Sequence, residues 1–160
     1  VRNAIREDVL YFAIPAVFVL FAGTGVILWD LVRQQGSFHL LSIPSIVGLA
    51  LIAVGLPITL IAHFTLRRFY SSTLVIRADH RLITHGIYRH TRHPIYLGAI
   101  MVCIGLPVSV SSLYGLLTMS ALIPIILNRI RMEERMLTEE FGDAYQTYRE
   151  ATRKLVPFIY

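Results

Sequence analysis

The chain has 160 residues, of which 55% are hydrophobic and only 16% charged, with a formal net charge of +5. Water-soluble domains carry about 25% charged residues, and here the apolar residues are bunched into long stretches, which excludes an ordinary soluble fold and places the chain in lipid. One domain covering residues 1–160 is expected, and the single cysteine, Cys103, excludes an intrachain disulfide and reads as an apolar filler.

Taken in chain order, residues 10–29 have the length of a first span, interrupted only by Pro15 and two glycines. No small-residue cleavage pattern follows it, so it reads as a retained membrane helix and not as a signal segment. Asp30, Arg33 and Gln34-Gln35-Gly36 are expected to end it in a short polar loop. Residues 40–66 supply a second span, longer than the ~20 residues that cross the hydrocarbon core, so tilt or a bend near Pro57 is expected. Residues 95–130 are too many for one simple span and short for two. Pro107-Val108-Ser109-Val110-Ser111-Ser112 offers a break, and a helical hairpin with arms over about 94–107 and 112–130 is predicted. The first arm would reach only ~20 Å at 1.5 Å per residue, so any backbone left unpaired at its ends needs shielding by protein. The predicted fold class is therefore all-α: a polytopic membrane protein with four spanning helices, including a C-terminal helical hairpin.

Four crossings put the N-terminus, segment 67–93 and segment 131–160 on one face, which then collects every Arg and Lys except Arg33. The positive-inside rule makes that face cytosolic, both termini included. Topology thus accounts for the arginine cluster (Arg67, Arg68, Arg77, Arg81, Arg89 and Arg92) more simply than a nucleic-acid footprint does, and no nucleic-acid partner is expected. Beyond Ile130 the last helix continues amphipathically, with Arg129–Glu133 and Arg135–Glu139 at i,i+4 spacing. Phe141-Gly142-Asp143 reads as its stop, Ala144 to Ala151 as a short surface helix, and Pro157 to Tyr160 as an aromatic interfacial end.

Chemistry concentrates in two places. Four of the six histidines fall between residues 80 and 93. Pro94 suits the first turn of a helix, which sets His93 at the helix mouth among N–H groups that favour an anion. Tyr96 follows one turn later, and Gly98 allows a helix or a flat ligand to come close. A metal site at His80, His85, His90 and His93 is the rival reading; it fits no familiar zinc spacing, has no cysteine, and is surrounded by arginines, so no metal is expected. A plain charged collar at the membrane surface is the third reading. The second cluster is Asn128, Arg129, Arg131, Glu133 and Glu134, where a span meets the interface and polar residues are more often functional than decorative. Glu133 pairs with Arg129, while Glu134 is able to turn toward His93; an ordinary helix end with i,i+4 pairs explains the same residues equally well.

Together, Gly86-x-Tyr88-Arg89-x-x-Arg92-His93-Pro94-x-Tyr96-x-Gly98, Glu133-Glu134-x-x-Leu137-x-x-x-Phe141-Gly142-x-x-Tyr145-x-x-Tyr148 and Arg153-x-x-x-Pro157 resemble the isoprenylcysteine carboxyl methyltransferase family, over roughly residues 50–158. The wider group includes phospholipid N-methyltransferases and small-thiol methyltransferases. The resemblance implies a transmembrane enzyme that takes a methyl group from S-adenosylmethionine without the glycine-rich site of soluble methyltransferases. It implies a cofactor-binding set of Tyr88, Arg92, His93, Tyr96, Leu97, Gly98, Glu133 and Glu134. Glu134, Arg129, His90 and Arg153 are the implied catalytic set, the arginines orienting an acidic group and His90 or His93 serving as a base if the acceptor needs one. Tyr145, Tyr148 and Pro157 would cover the site from water. Ile87 and His90 depart from the family's usual residues, so the acceptor is the less constrained half. A carboxylate, thiol or amine on a lipid-like or small apolar acceptor, entering from membrane lipid, suits the layout. Two other readings compete: a membrane protein that only binds anionic lipid, and a nicotinamide-dependent membrane reductase.

Overall fold

The structure, a computed structural model, describes residues 9–33, 42–66 and 82–156. The basic stretch that holds Arg67, Arg68, Arg77, His80 and Arg81, the N-terminal Arg2 and Arg6, and the Pro157–Tyr160 end lie outside the described residues. A π-helical turn, Val9–Ala13, leads into α1 (Ile14–Arg33); α2 (Ile43–Leu66), a 3₁₀ turn (Gly86–Arg89), α3 (Pro94–Ser109), α4 (Leu113–Ser120) and α5 (Leu122–Ala151) follow. Among the described residues, three stretches are long and apolar enough to cross a membrane: Val9–Arg33, Ile43–Leu66 and, taking α4 and α5 as one run, Leu113–Ala151. Large side chains such as Phe18, Phe21, Trp29, Ile43 and Phe64 are two-thirds or more exposed. A surface of that kind is stable in lipid and not in water. The protein is an all-α polytopic membrane protein with a C-terminal hairpin.

The pairing of α2 with α3 is set by glycine. A Cβ on Gly55 would sit 2.8 Å from the carbonyl oxygen of Gly98, and one on Gly105 would sit 2.8 Å from that of Gly48. Both pairs belong to one antiparallel register, which lets the backbones touch as small residues do between membrane helices. Extended along the helices, this register sets Pro94 level with Thr59, so α2 runs on for about two further turns beside the segment preceding α3. Gly86 lies against Thr65 there, 3.3 Å from its Cγ2 by the same measure. The 16-residue α3 is therefore short because a polar loop takes the place of its first turns, next to the last apolar turns of α2.

Three sequence expectations shift. The helix does not end at Asp30 as expected: α1 continues to Arg33 and buries Asp30, whose Oδ2 accepts a 2.5 Å hydrogen bond from the Ser112 hydroxyl, while Gln34-Gln35-Gly36 of the predicted loop lie outside the described residues. A carboxylate with that partner stays inside a helix that its charge alone would have ended. The hairpin turn is narrower than 107–112: Pro107 remains helical, and only Val110–Ser112 turn, with Ser111 at φ 55°. Ser112 caps α4 by accepting from the Gly115 N–H at 3.0 Å. The second arm is interrupted at Ala121 because Pro124 has no N–H to give the carbonyl of Ser120. Met119, Leu122, Ile126, Ile130 and Leu155 form the core, covered by Phe12, Ala16, Val19 and Ile27 from the N-terminal helix and by Leu97, Ile100 and Cys103 from α3.

Candidate functional site

Where the apolar part of α5 ends at Ile130, its polar continuation meets the loop before α3. Gly142, at φ 51° and ψ −124°, breaks the helical path, a conformation that side-chain-bearing residues rarely adopt. The chain then returns through Ala144–Ala151 so that Tyr145 and Tyr148, expected on a surface helix, are buried. The Tyr148 hydroxyl donates to the carbonyl of Tyr88 at 2.7 Å. After Thr152 the chain pairs with the loop. Thr91 and Arg153 form a parallel bridge, the Arg92 N–H donates to the Arg153 carbonyl at 2.8 Å, and the His93 N–H donates to that of Lys154 at 3.2 Å. The Thr91 hydroxyl, buried, donates to the Leu155 carbonyl at 2.7 Å. These bonds satisfy the loop backbone that apolar surroundings would otherwise leave unpaired.

The side chains inside this frame are charged and close. Arg92 Nε donates to Glu134 Oε1 at 3.0 Å, and its terminal nitrogen reaches the carbonyls of Arg149 at 2.9 Å and Thr152 at 2.7 Å. Lys154 Nζ lies 3.4 Å from Glu134 Oε2. His93, 4% exposed, stands with Nε2 3.6 Å from Glu134 Oε1 and Nδ1 3.9 Å from Glu133 Oε2. Burial pushes the Glu134 carboxyl upward, but the His93 ring, the Lys154 ammonium and the Arg92 bond outweigh it and hold the group at about 2. Glu134 is thus an ionised carboxylate in a nearly water-free position.

A second chain of contacts runs beside it. The Tyr96 hydroxyl donates to Glu133 Oε2 at 3.0 Å and accepts from Arg129 Nε at 3.0 Å, so the tyrosine sits between the two residues that spacing alone would pair directly. Arg129 is buried, and its guanidinium lies over the Phe12 ring at 4.4 Å, a cation–π contact suited to a desolvated arginine. The His93 and Tyr96 rings are 5.8 Å apart.

His93 Nε2 and the Tyr145 hydroxyl are buried and find no hydrogen-bond partner among the described residues. Tyr145 is fully buried; burial first, and the negative charge of Glu134 next, raise its pKa, so the phenol keeps its proton.

Of the residues expected at the site, the structure brings together Tyr88, Arg92, His93, Tyr96, Arg129, Glu133 and Glu134. Leu97 packs on the core, and Gly98 is turned to α2, with Gly55 and Thr59 where its Cβ would be. His90 and Arg153 have exposed side chains and join the site through the bond from the Arg153 N–H to the His90 carbonyl at 3.4 Å. The sequence reading missed Lys154 as a partner of Glu134, and Thr91 and Thr152 as fasteners of the loop. The only signal for them was their nearness to Arg153 and Arg92 in the motifs. No group of three or more His, Cys, Asp or Glu able to hold a metal occurs among the described residues, and His80 of the rival metal reading lies outside them.

Comparison with known proteins gives this geometry a context. The family model described as "Phospholipid methyltransferase" matches residues 43–144. A probable protein-S-isoprenylcysteine O-methyltransferase of Oryza sativa subsp. indica is 31% identical over 118 residues, which cover 72% of this chain and 62% of the rice protein. Protein-S-isoprenylcysteine O-methyltransferase A of Arabidopsis thaliana is 32% identical over 115 residues, covering 70% and 58%. Methanethiol S-methyltransferase 1 of Bradyrhizobium diazoefficiens is 38% identical over a shorter stretch of 79 residues, covering 49% and 27%. The solved structure of a eukaryotic intramembrane Ras methyltransferase, an isoprenylcysteine carboxyl methyltransferase, shares the fold with a TM-score of 0.77 at 20% identity, over 98% of this chain and 62% of that one. The chain spans about three-fifths of the length of these first relatives. With its second and third helices, the loop before Pro94 and both glutamates inside the matched region, the chain belongs to the phospholipid methyltransferase family of integral membrane proteins, and protein-S-isoprenylcysteine O-methyltransferases are among its homologues.

Proposed function

We propose that this protein transfers a methyl group from S-adenosylmethionine to a carboxylate, thiol or amine on a lipid-like or small apolar acceptor at the membrane interface. The observation that carries the reading is the buried, ionised Glu134 beside His93 Nε2, which has no close hydrogen bond among the described residues, at the point where α5 leaves its apolar stretch. The residues fit the cofactor's amino-acid end. Glu134 offers a carboxylate to an ammonium, and His93 Nε2, 3.6 Å from Glu134 Oε1 and without a close hydrogen bond among the described residues, offers a polar contact. Buried polar atoms of that kind are few in folded proteins and ask for a partner.

When bound, the cofactor supplies a methyl group already activated by its sulfonium charge. Arg92 and Lys154 fix the orientation of Glu134. Tyr96 holds Glu133 and Arg129 in one line, leaving Arg129, desolvated over Phe12, to orient an acidic acceptor group. The loop–tail pairing excludes water. Alignment and exclusion of water are the main contributions such a site makes to the rate. A carboxylate acceptor needs no base; for a thiol or amine, His90 or His93 is the available proton acceptor. The α3 helix, ~24 Å long by its 16 residues, serves as a fourth crossing with the local help of the loop that completes it. Both termini and the site then face the cytosol. An acceptor with an apolar tail enters from lipid, and the cofactor enters from water.

Calorimetry of the detergent-solubilised protein with S-adenosylhomocysteine tests the reading. Saturable binding that His93→Ala abolishes, with the helices still folded, is expected. Absence of heat at high micromolar ligand with folded wild-type protein would overturn it. Competition by a nicotinamide nucleotide would favour the reductase instead. A methyl-transfer screen over prenylcysteines, phosphatidylethanolamine and simple thiols then identifies the acceptor.

A further inference from the structure

The Tyr145 hydroxyl has no part in the contacts that hold the loop, the tail and α5 together. Its neighbour Tyr148, with the two ring centres 6.1 Å apart, spends its hydroxyl on the Tyr88 carbonyl. Tyr145 is as deeply placed, 0% exposed, and its hydroxyl bonds to nothing among the described residues. A phenylalanine would fill the same volume without leaving a polar atom unsatisfied, which is the arrangement packing alone favours. The ring packs beside Tyr148, whose hydroxyl meets the loop at Tyr88, on the helix whose Arg149 carbonyl receives Arg92, and the charges of Glu134 and Arg92 act on the phenol, which sets the orphan hydroxyl beside the charged cluster. It keeps its proton and is therefore a donor awaiting an acceptor.

We infer that Tyr145 is a cofactor-positioning residue whose O–H donates to the carboxylate of the cofactor's amino-acid end while Glu134 receives the ammonium. This rests on the methyltransferase reading above. Lys154 completes the arrangement. Its Nζ, 3.4 Å from Glu134 Oε2, belongs to a side chain 24% exposed, against 9% for Arg92, which holds the other oxygen. The lysine ammonium stands at the carboxylate where a ligand ammonium of the same charge would go, and it is the one of the two cations with access to water. Ligand entry exchanges one ammonium for another at Oε2 and brings a carboxylate to the phenol. The site thereby reads both charges of an α-amino acid end and distinguishes it from an adenosine thioether that lacks them.

The test is binding to solubilised protein, measured by calorimetry for wild type and Tyr145→Phe, with three probes: S-adenosylhomocysteine, its decarboxylated analogue that keeps the amine, and 5′-methylthioadenosine. Tyr145→Phe is expected to weaken S-adenosylhomocysteine about tenfold or more, as loss of a hydrogen bond to a charged group does. The two probes without a carboxylate should bind as they do to wild type. The unfolding midpoint without ligand is expected to stay level or rise, since an unsatisfied buried hydroxyl has been removed. Stability and affinity moving in opposite directions is a result that a packing role cannot give. Unchanged affinity for S-adenosylhomocysteine would overturn the inference and leave the phenol bonded to a buried water. An equal loss for all three probes would reduce Tyr145 to packing. Should Tyr145→Phe fail to fold, the wild-type ratio between S-adenosylhomocysteine and its decarboxylated analogue decides, a ratio near one overturning the proposal. Absence of binding by wild type to any probe would sink the methyltransferase reading itself, which is a distinct outcome.

Discussion

Replacing Arg92 should damage the protein more than replacing any other cation of the cluster, and the size of the effect follows from its contacts. Arg92 and Glu134 have side chains 9% and 11% exposed and meet at 3.0 Å. Breaking so buried a pair costs about 3–5 kcal/mol, and because Lys154 stays 3.4 Å from the other Glu134 oxygen the lower end, about 3 kcal/mol, is expected. The same guanidinium also closes the Arg149 and Thr152 carbonyls at the end of α5; those lie nearer water and add on the order of 1 kcal/mol at most. Arg92→Ala is therefore expected to lower the unfolding midpoint in detergent by about 6–16 °C, at ~2–4 °C per kcal/mol for a chain of this size. Arg92→Lys keeps the charge, but a single ammonium cannot hold a carboxylate and two carbonyls together, so a loss of roughly 1–3 kcal/mol is expected. A double-mutant cycle with Glu134→Gln should show a coupling of about 1–3 kcal/mol. An Arg92→Ala midpoint within ~2 °C of wild type, with coupling near zero, would refute the reasoning and make the pair equivalent to a solvated surface contact.

Other consequences are checked more simply. Glu134 is held at about 2 in the folded protein against an ordinary 4.5. Its contribution to stability is therefore complete above pH about 4.5 and disappears as the pH falls toward 2. The midpoint of wild type should fall more steeply than that of Glu134→Gln across this interval, and parallel curves would contradict it. Gly48→Leu or Gly105→Leu should separate α2 from α3, since a Cβ at either position meets the opposite backbone; lost protection of the α2–α3 amides in hydrogen exchange is the readout, and a native exchange pattern would oppose it. Ser112→Ala removes both the cap on Gly115 and the bond to the buried Asp30. A loss of about 1–3 kcal/mol is expected, smaller but not abolished when Asp30→Ala is already in place because the Gly115 cap is still lost, as midpoints of the single and double variants would show.

The sequence by itself determined the solvent. Apolar runs of the length of Ile43–Leu66 have a stable home only in a bilayer, and the Pro107–Ser112 break required a hairpin. Local rules fixed a helix start at Pro94 and placed Glu133 and Glu134 where the last span reaches water, but left an ordinary helix end equally open; only the family resemblance grouped them with Arg92, His93 and Tyr96. Local rules also misled. Asp30 looked like a helix end because its partner, Ser112, is 82 residues away, and long-range hydrogen bonds leave no trace in local composition. Tyr145 and Tyr148 looked like surface residues because the helical pattern after Gly142 cannot show that the chain returns over the loop. Gly98 was open to a helix or a ligand until the matching register of Gly48 and Gly105 gave it to α2. Tertiary structure alone decided that Tyr96 stands between Arg129 and Glu133, that Lys154 joins Arg92 on one carboxylate, and that the Tyr145 hydroxyl meets no partner among the described residues. The reason is physical: membrane insertion depends on residue composition summed along one segment, whereas each of those contacts depends on where two distant segments meet.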